Sequence, residues 1–196
     1  MLSLTPLAKV PQGFTVDQVV TLPTNPMTSF LVLFTSEQGF NYAPPWEPRA
    51  GSEKDDAIVI IGGGTVVGKF GVQFARLAGI GRIIVVAGED NAGELKDMGA
   101  THVISRHLSG EIIRQVHAIT GPQGVKKVCD CRSMTFELAT SLPAPSEPST
   151  LPTVHPVDQP DVITKERPKC KAQFVEASSP GLAPAALAVC ADVAEG

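Results

Sequence analysis

Apolar positions follow two different rhythms between Ala57 and Asp130. Ala57-Ile58-Val59-Ile60-Ile61 is an unbroken, β-rich apolar run that ends in three glycines. From Val66 to Ala78 the period lengthens: Val67, Phe70, Phe74, Leu77 and Ala78 share one face, and Lys69, Gln73 and Arg76 the other. That spacing predicts an amphipathic helix, which Gly79 and Gly81 can end. Arg82 to Ala87 reads as a second strand, Ala92 to Met98 as a short helix closed by Gly99, and His102-Val103-Ile104 as a third strand. Ser109 is the expected cap of a helix that buries Ile112, Ile113, Val116 and Ile119 and keeps Glu111 and Arg114 wet. Val125 to Cys131 reads as a fourth strand.

Strands alternating with helices imply parallel pairing through right-handed crossovers. Continuous apolar runs in the first two strands suit burial on both faces, as a parallel sheet requires. The predicted fold is therefore α/β, a Rossmann-type parallel sheet with flanking helices. Proline sets its limits. None of the seventeen prolines lies between Arg49 and Gly121, and nine lie between Pro143 and Pro184. Proline removes a backbone donor and interrupts helices and central strands. Three segments follow: lead-in helices and a loop over 1–50, the Rossmann domain over 51–142, and an irregular Pro-rich tail over 143–196. The sheet is expected to be incomplete for that reason. In the lead-in, helices are expected near Val16 to Leu22 and near Met27 to Thr35, and Asn41 to Pro48 is expected as a loop.

Bulk composition narrows the partners. A net charge of −4, with acids and bases interspersed, offers no basic block for nucleic acid or an anionic membrane. Aromatic residues are only 5% of the chain, too few for base-stacking platforms. No apolar run reaches the roughly 18–20 residues of a membrane span, and the N-terminus has no secretory pattern. A cytoplasmic location is expected. The four cysteines, Cys129, Cys131, Cys170 and Cys190, form no CxxC or Cys/His cluster of zinc-ligand spacing. They are expected to be free thiols in a reducing compartment.

The chemistry concentrates at Gly62-Gly63-Gly64-Thr65-Val66-Val67-Gly68, where the first strand becomes the first helix. Glycines allow positive φ and close approach of a pyrophosphate. The helix adds unpaired N–H groups and the positive end of its dipole. The spacing departs from GxGxxG in either frame: starting at Gly62 puts Val67 at the third glycine, and ending at Gly68 puts Thr65 at the second. Two rival readings use the same residues. Gly63 to Lys69 fits the opening GxxxxGK of a P-loop, with Phe70 where Ser or Thr should hold magnesium. A methyltransferase would also place a glycine turn here and an acid after the second strand.

Past the second strand, Gly88-Glu89-Asp90-Asn91 occupies the ribose position. Glu89 or Asp90 suits the 2′-hydroxyl of NAD, whereas Arg106, after the third strand, suits the 2′-phosphate of NADP. The candidate cofactor-binding residues are thus Gly63, Gly64, Thr65, Val66, Val67, Gly68, Gly88, Glu89, Asp90, Asn91 and Arg106, for NADP or NAD. A short-chain reductase is excluded, because its Tyr-x-x-x-Lys pair is absent: Tyr42 is followed at that offset by Trp46.

Ala57 to Gly68, Gln73 to Gly79 and Glu94 to Ile104 together resemble the medium-chain dehydrogenase/reductase superfamily. The narrower resemblance is to zinc-type alcohol dehydrogenase-like quinone oxidoreductases, in their fungal quinone-reductase and trans-enoyl-reductase branch, often found beside polyketide synthases. That branch has a Gly-x-Ser-Thr-x-x-Gly type turn, and Gly62 to Gly68 has its length with Thr65 in place. Val10 to Gln18 and Leu22-Pro23 resemble the entry into the cofactor domain, and Thr28-Ser29 a Thr-Ala pair beside the nicotinamide.

The resemblance spans about residues 8–140. It implies that Gly63 to Gly68 hold the pyrophosphate, Gly88 to Asn91 the adenosine ribose, and that Asp130 lies near the nicotinamide. It also implies a preceding GroES-like domain, which carries the zinc ligands of the alcohol-dehydrogenase branch. No metal and no catalytic residue carry over to this chain. His107, His117 and His155 read as loop and surface histidines. The expected function is NAD(P)-dependent reduction of an enoyl, quinone or carbonyl group, in a partial enzyme acting on a small molecule in secondary metabolism. The alternatives are a non-catalytic nucleotide-binding module or the partner subunit of a fuller reductase, alone or as a homo-oligomer.

Overall fold

The computed structural model describes residues 10, 12–19, 24–48, 51, 53–108, 110–122, 124–156 and 167–175. In chain order the elements are α1 (Val16–Val19), α2 (Thr24–Phe34), β1 (Ala57–Ile61), α3 (Val66–Leu77), β2 (Arg82–Ala87), α4 (Ala92–Met98), β3 (His102–Ser105), α5 (Glu111–Thr120), β4 (Lys127–Asp130), α6 (Glu137–Ser141), β5 (Ser149–Thr153) and β6 (Cys170–Phe174). The six strands form one sheet in the order β3-β2-β1-β4-β5-β6. Every neighbouring pair is parallel. The Rossmann-type α/β fold expected from the sequence is present. Among the described residues no helix is long and apolar enough to cross a membrane.

β1 is central because all five of its residues are apolar and all five are buried. Its side chains alternate between two cores. Ile58 and Ile60 pack with α2, α3 and α4 through Phe30, Leu33, Val72, Phe74 and Leu95. Val59 and Ile61 pack on the opposite face with Ile112 and Val116 of α5 and Ala139 of α6. Burying each such side chain stabilises the fold by about 1.5–3 kcal/mol.

α2 is buried from Pro26 to Phe34, so it is a core helix rather than a surface one. The returning chain satisfies its last carbonyls: Phe40 N–H donates to Val32 O at 2.9 Å and Tyr42 N–H to Leu33 O at 3.0 Å. Ser109, the expected cap of α5, lies outside the described residues, as do Leu22, Pro23 and Cys190. Gly110 occupies the cap position with φ 70° and no side-chain bond.

The sheet extends further than the proline pattern suggested. Ser149–Thr153 and Cys170–Phe174, both in the tail expected to be irregular, are strands. Thr150 N–H donates to Lys126 O at 2.8 Å and Val154 N–H to Asp130 O at 3.1 Å. Pro152 stands between them and has no N–H to give where the ladder would call for one. One missing bond is outweighed by packing: Leu151 is buried against the Val59 and Val128 side of the sheet. Tertiary burial overrides the local signal. Pro152 also pairs with Gln173 of β6, which continues the sheet past it.

A polar cluster closes the end of the sheet where β1 and β4 begin. Tyr42 Oη donates to Asp56 Oδ2 at 2.8 Å, Lys127 Nζ reaches the same oxygen at 2.8 Å, and Lys127 Nζ lies 3.8 Å from the centre of the Tyr42 ring. Burial, reinforced by Asp56, pushes the Tyr42 hydroxyl far up, so it remains a donor. Burial works against ionisation of Asp56, but Lys127 and Tyr42 together outweigh it and hold the carboxyl below its ordinary value of 3.8.

Two predictions follow from this architecture. Leu151→Ala should cost about 2–5 kcal/mol in urea unfolding, whereas a loss within about 0.5 kcal/mol would mean that the tail strand is not integral. Asp56, with its folded pKa depressed, contributes stability that is fully present above the ordinary carboxylate pKa and is lost as pH falls through the folded one. Asp56→Asn should therefore lower the unfolding midpoint at pH 7, and the difference from the parent protein should shrink as the pH falls below the ordinary carboxylate value.

Candidate functional site

The connection from β1 runs through α3 to β2 on one side, while its other neighbour, β4, is reached only after β3 and α5. The strand order therefore reverses between β1 and β4. In open α/β sheets ligands bind beyond the carboxyl ends of the strands at such a point. The Gly62 to Gly68 turn lies there.

Each glycine of the turn has a separate reason. Gly62 has φ +78°, and a methyl on it would stand 2.6 Å from Arg132 Cβ. A methyl on Gly63 would overlap Val85 of β2. A methyl on Gly68 would overlap the Gly62 carbonyl and stand 2.7 Å from Gly63 Cα. Gly68 thus lets α3 close against the strand-end turn, the role of the third glycine in a dinucleotide fingerprint. That resolves the two frames in favour of the one ending at Gly68. Gly64 differs from the others: it is exposed, and a methyl there would meet only the Asn91 side-chain amide at 3.1 Å.

Thr65 holds the turn together. Its hydroxyl donates to Gly62 O at 2.8 Å and accepts from Gly68 N–H at 3.0 Å. It caps α3 from an extended backbone, φ −74° and ψ 159°. Gly62 and Gly63 N–H groups both point to Val86 O, at 2.9 and 3.2 Å. Thr65 N–H turns back to Gly62 O at 2.9 Å, and the intrahelical bonds of α3 begin with Lys69 N–H on Thr65 O, also at 2.9 Å. The N–H groups of Gly64, Val66 and Val67 are left without a protein partner among the described residues. Three free donors at a helix start, over an exposed glycine, make a cradle for an anion. From behind, Ser29 of α2 donates to Val67 O at 2.7 Å and fixes the first turn of α3 to the core. Thr28, its neighbour, bonds within α2, to Thr24 O at 2.9 Å.

The second group of candidates gathers beside this cradle. Gly88 follows β2, and Glu89–Asn91 form a short 3-10 turn. The Asn91 amide lies between Gly64 and Gly88, within 3.1 Å and 3.6 Å of where their methyls would stand. Arg106 N–H is bound to Ala87 O at 2.8 Å, and its guanidinium would stand 3.8 Å from a methyl on Gly88. Arg106 Nε also lies 3.4 Å from His107 Nε2. Glu89 and Asp90 are exposed and make no ion pair among the described residues. All eleven candidate residues therefore border one region at the carboxyl ends of β1 and β2.

Asp130, at the end of β4 beside Ile61, is completely buried. Its Oδ1 accepts from Arg132 N–H at 3.0 Å and Ser133 N–H at 2.7 Å, shaping the turn that faces Gly62. Its Oδ2 is buried without a hydrogen-bond partner. The Ser29 bond to Val67 O and the orphaned Asp130 oxygen arise from packing across elements, which no local sequence pattern carries.

The P-loop alternative does not match the geometry. Lys69 Nζ is turned to α4, where it bonds both oxygens of Glu94 at 2.7 and 2.8 Å. Phe70 packs on Phe74, ring centres 6.3 Å apart. His117 is half-buried rather than a free surface residue, with Nε2 3.2 Å from Leu142 O, and His155 is also half-buried.

Residues 66–146 match the zinc-binding dehydrogenase family. A protein of Arthroderma benhamiae described as "Probable zinc-binding oxidoreductase, mitochondrial" is 30% identical over 99 residues, covering 50% of this chain and 28% of that protein. An uncharacterized protein of Saccharomyces cerevisiae is 32% identical over 111 residues, again 28% of its length. Among solved structures, the CurK enoyl reductase superposes with a TM-score of 0.70 at 16% identity, over 96% of this chain and 54% of that one. The Escherichia coli quinone oxidoreductase complexed with NADPH gives 0.69 at 15% identity, over 95% and 54%. The chain thus spans about a quarter of the curated relatives and about half of the solved structures it matches. The family name refers to zinc, but among the described residues no group of three or more His, Cys, Asp or Glu could hold a metal ion.

Thr65→Ala should cost about 1 kcal/mol of stability, since it removes both bonds of the turn hydroxyl, and Thr65→Ser should restore most of it. Equal losses in the two variants, read by thermal unfolding, would contradict the capping role. The family match covers residues 66–146, and the sheet shares the fold of the enoyl and quinone reductases on which it superposes.

Proposed function

We propose that this chain binds NADPH or NADH and serves an oxidoreductase that reduces an enoyl, quinone or carbonyl group of a small molecule. The observation that carries the reading is the cradle at Gly64, Val66 and Val67, three unpaired backbone donors at the positive end of α3. In this reading Gly63, Gly64, Thr65, Val66, Val67 and Gly68 hold the pyrophosphate. Gly88, Glu89, Asp90 and Asn91 surround the adenosine ribose. The reduced nicotinamide, when bound, supplies a hydride. The protein's own part is to bind and orient the dinucleotide along the switch point and to keep water from one side of it with the β1 and β4 ends.

The exposed guanidinium of Arg106 beside Gly88 supports NADPH over NADH. It can pair with a 2′-phosphate, whereas Glu89 and Asp90 would repel one. NADPH complexes among the matched structures, including the E. coli quinone oxidoreductase and a mycobacterial protein 21% identical to this chain, point the same way.

The second reading is a nucleotide-binding module completed by a partner subunit or a second copy. The two readings differ in turnover, not in binding. A methyltransferase is disfavoured by the family match.

Isothermal titration tests the proposal. NADPH should bind the purified chain, and Gly64→Val should weaken binding at least about tenfold while leaving the melting temperature close to the parent's. Arg106→Ala should weaken NADPH by about tenfold and NADH hardly at all, a difference of about 1.4 kcal/mol. No heat and no thermal protection at millimolar cofactor would sink the reading.

A further inference from the structure

Cys129 and Cys131 flank Asp130 and point to the same face of the sheet, with Sγ atoms 3.4 Å apart. Both are buried. The sulfurs face a tightly packed space lined by Ser29, Val32, Leu33, Ile60, Val67 and Gly71, with no room for a water molecule. A third metal-binding side chain does not join them, so the pair has no metal-site partner among the described residues.

We propose that Cys129 and Cys131 form an oxidisable dithiol, closed by hydroperoxides into a disulfide within β4 and the bend that follows it. Three features lead there. The sulfurs are already in contact, so ring closure needs little search. Cys131 lies one residue past the end of β4, at the start of the bend that leads into Arg132. The surroundings also select the product: a sulfinate would place a charge in a dry apolar space, whereas a disulfide is neutral and compact.

The steps balance. When the bend after β4 opens to solvent, the Cys131 sulfur, the more exposed of the two, attacks the peroxide oxygen, the O–O bond breaks, and a sulfenic acid and water (or an alcohol) form. The Cys129 sulfur then attacks the sulfenic sulfur, an S–S bond forms, and the hydroxyl leaves as water with the second thiol proton. Two thiols are oxidised and one hydroperoxide is reduced.

The location gives the reaction a consequence for the cleft. Cys131 N–H donates to Ile61 O at 2.9 Å, and the next residue, Arg132, faces Gly62. Drawing Cys131 toward Cys129 pulls on the turn that lines the carboxyl ends of β1 and β4. This effect on binding rests on the proposed cofactor reading, whereas the disulfide itself does not.

Sequence supplies the readout. Trypsin cleaves after Lys127 and Arg132, so Val128-Cys129-Asp130-Cys131-Arg132 carries both thiols in one peptide. After hydrogen peroxide treatment of the intact chain and alkylation in denaturant, that peptide should appear unalkylated and lighter by two hydrogen masses. Dithiothreitol should reverse it, and Cys129→Ser and Cys131→Ser should each abolish it. Oxidation should also weaken NADPH about tenfold in the parent and not in Cys129→Ser. A doubly alkylated peptide after peroxide, or a sulfinic acid at Cys131, overturns the dithiol. A disulfide in a protein whose reduced form binds no NADPH overturns the cofactor reading and leaves the dithiol standing.

Discussion

The close approach of α3 to the end of β1 is the constraint on which the rest depends. It exists because Gly68 has no side chain to set against the Gly62 carbonyl. With that contact made, the Thr65 hydroxyl spans the gap, accepting from Gly68 and donating to Gly62. The helix then starts where the strand ends, and its first amides face outward. Any larger residue at 68 would push α3 off the sheet, and the Phe74 and Val72 contacts with β1 would open with it.

That constraint was partly visible in the sequence. The change from a continuous apolar run to a period near 3.6 located β1 and α3 within a residue, because burial on both faces and burial on one leave different signatures. The same rhythm found β2, α4 and β3. What the sequence did not disclose was which frame of glycines mattered. Only the overlap at Gly68 decides it, and that is a property of two backbones meeting. β5 was hidden by Pro152, and β6 by the prolines around it, since local propensity argues against a strand there. β5 is buried beside β4, and β6 is a half-exposed edge strand held by β5, pairings that no local pattern announces.

The candidate site was legible in a similar measure. The glycine turn and the Gly88 to Asn91 segment follow directly from the end of each strand. Arg106 was reachable by counting one strand further. Ser29 was read as part of a resemblance, but its bond to Val67 O depends on α2 lying against α3. The rival use of Lys69 failed for a local reason: Glu94 on α4 offers it two carboxylate oxygens, and a lysine satisfied there is not free to reach a phosphate. The dithiol escaped notice because a search by metal-ligand spacing overlooks cysteines two apart, although alternation along a strand puts such residues on one face.

The Tyr42, Asp56 and Lys127 clasp sits where β1 and β4 begin, and the glycine turn where β1 ends. Five strand residues, roughly 16 Å at 3.3 Å per residue, separate them. A protein engineer seeking heat tolerance can therefore rework the clasp, or replace it with apolar packing, without trading away affinity at the far end. Durability and recognition are adjustable independently in this small sheet, a freedom that single-core domains with central polar networks lack.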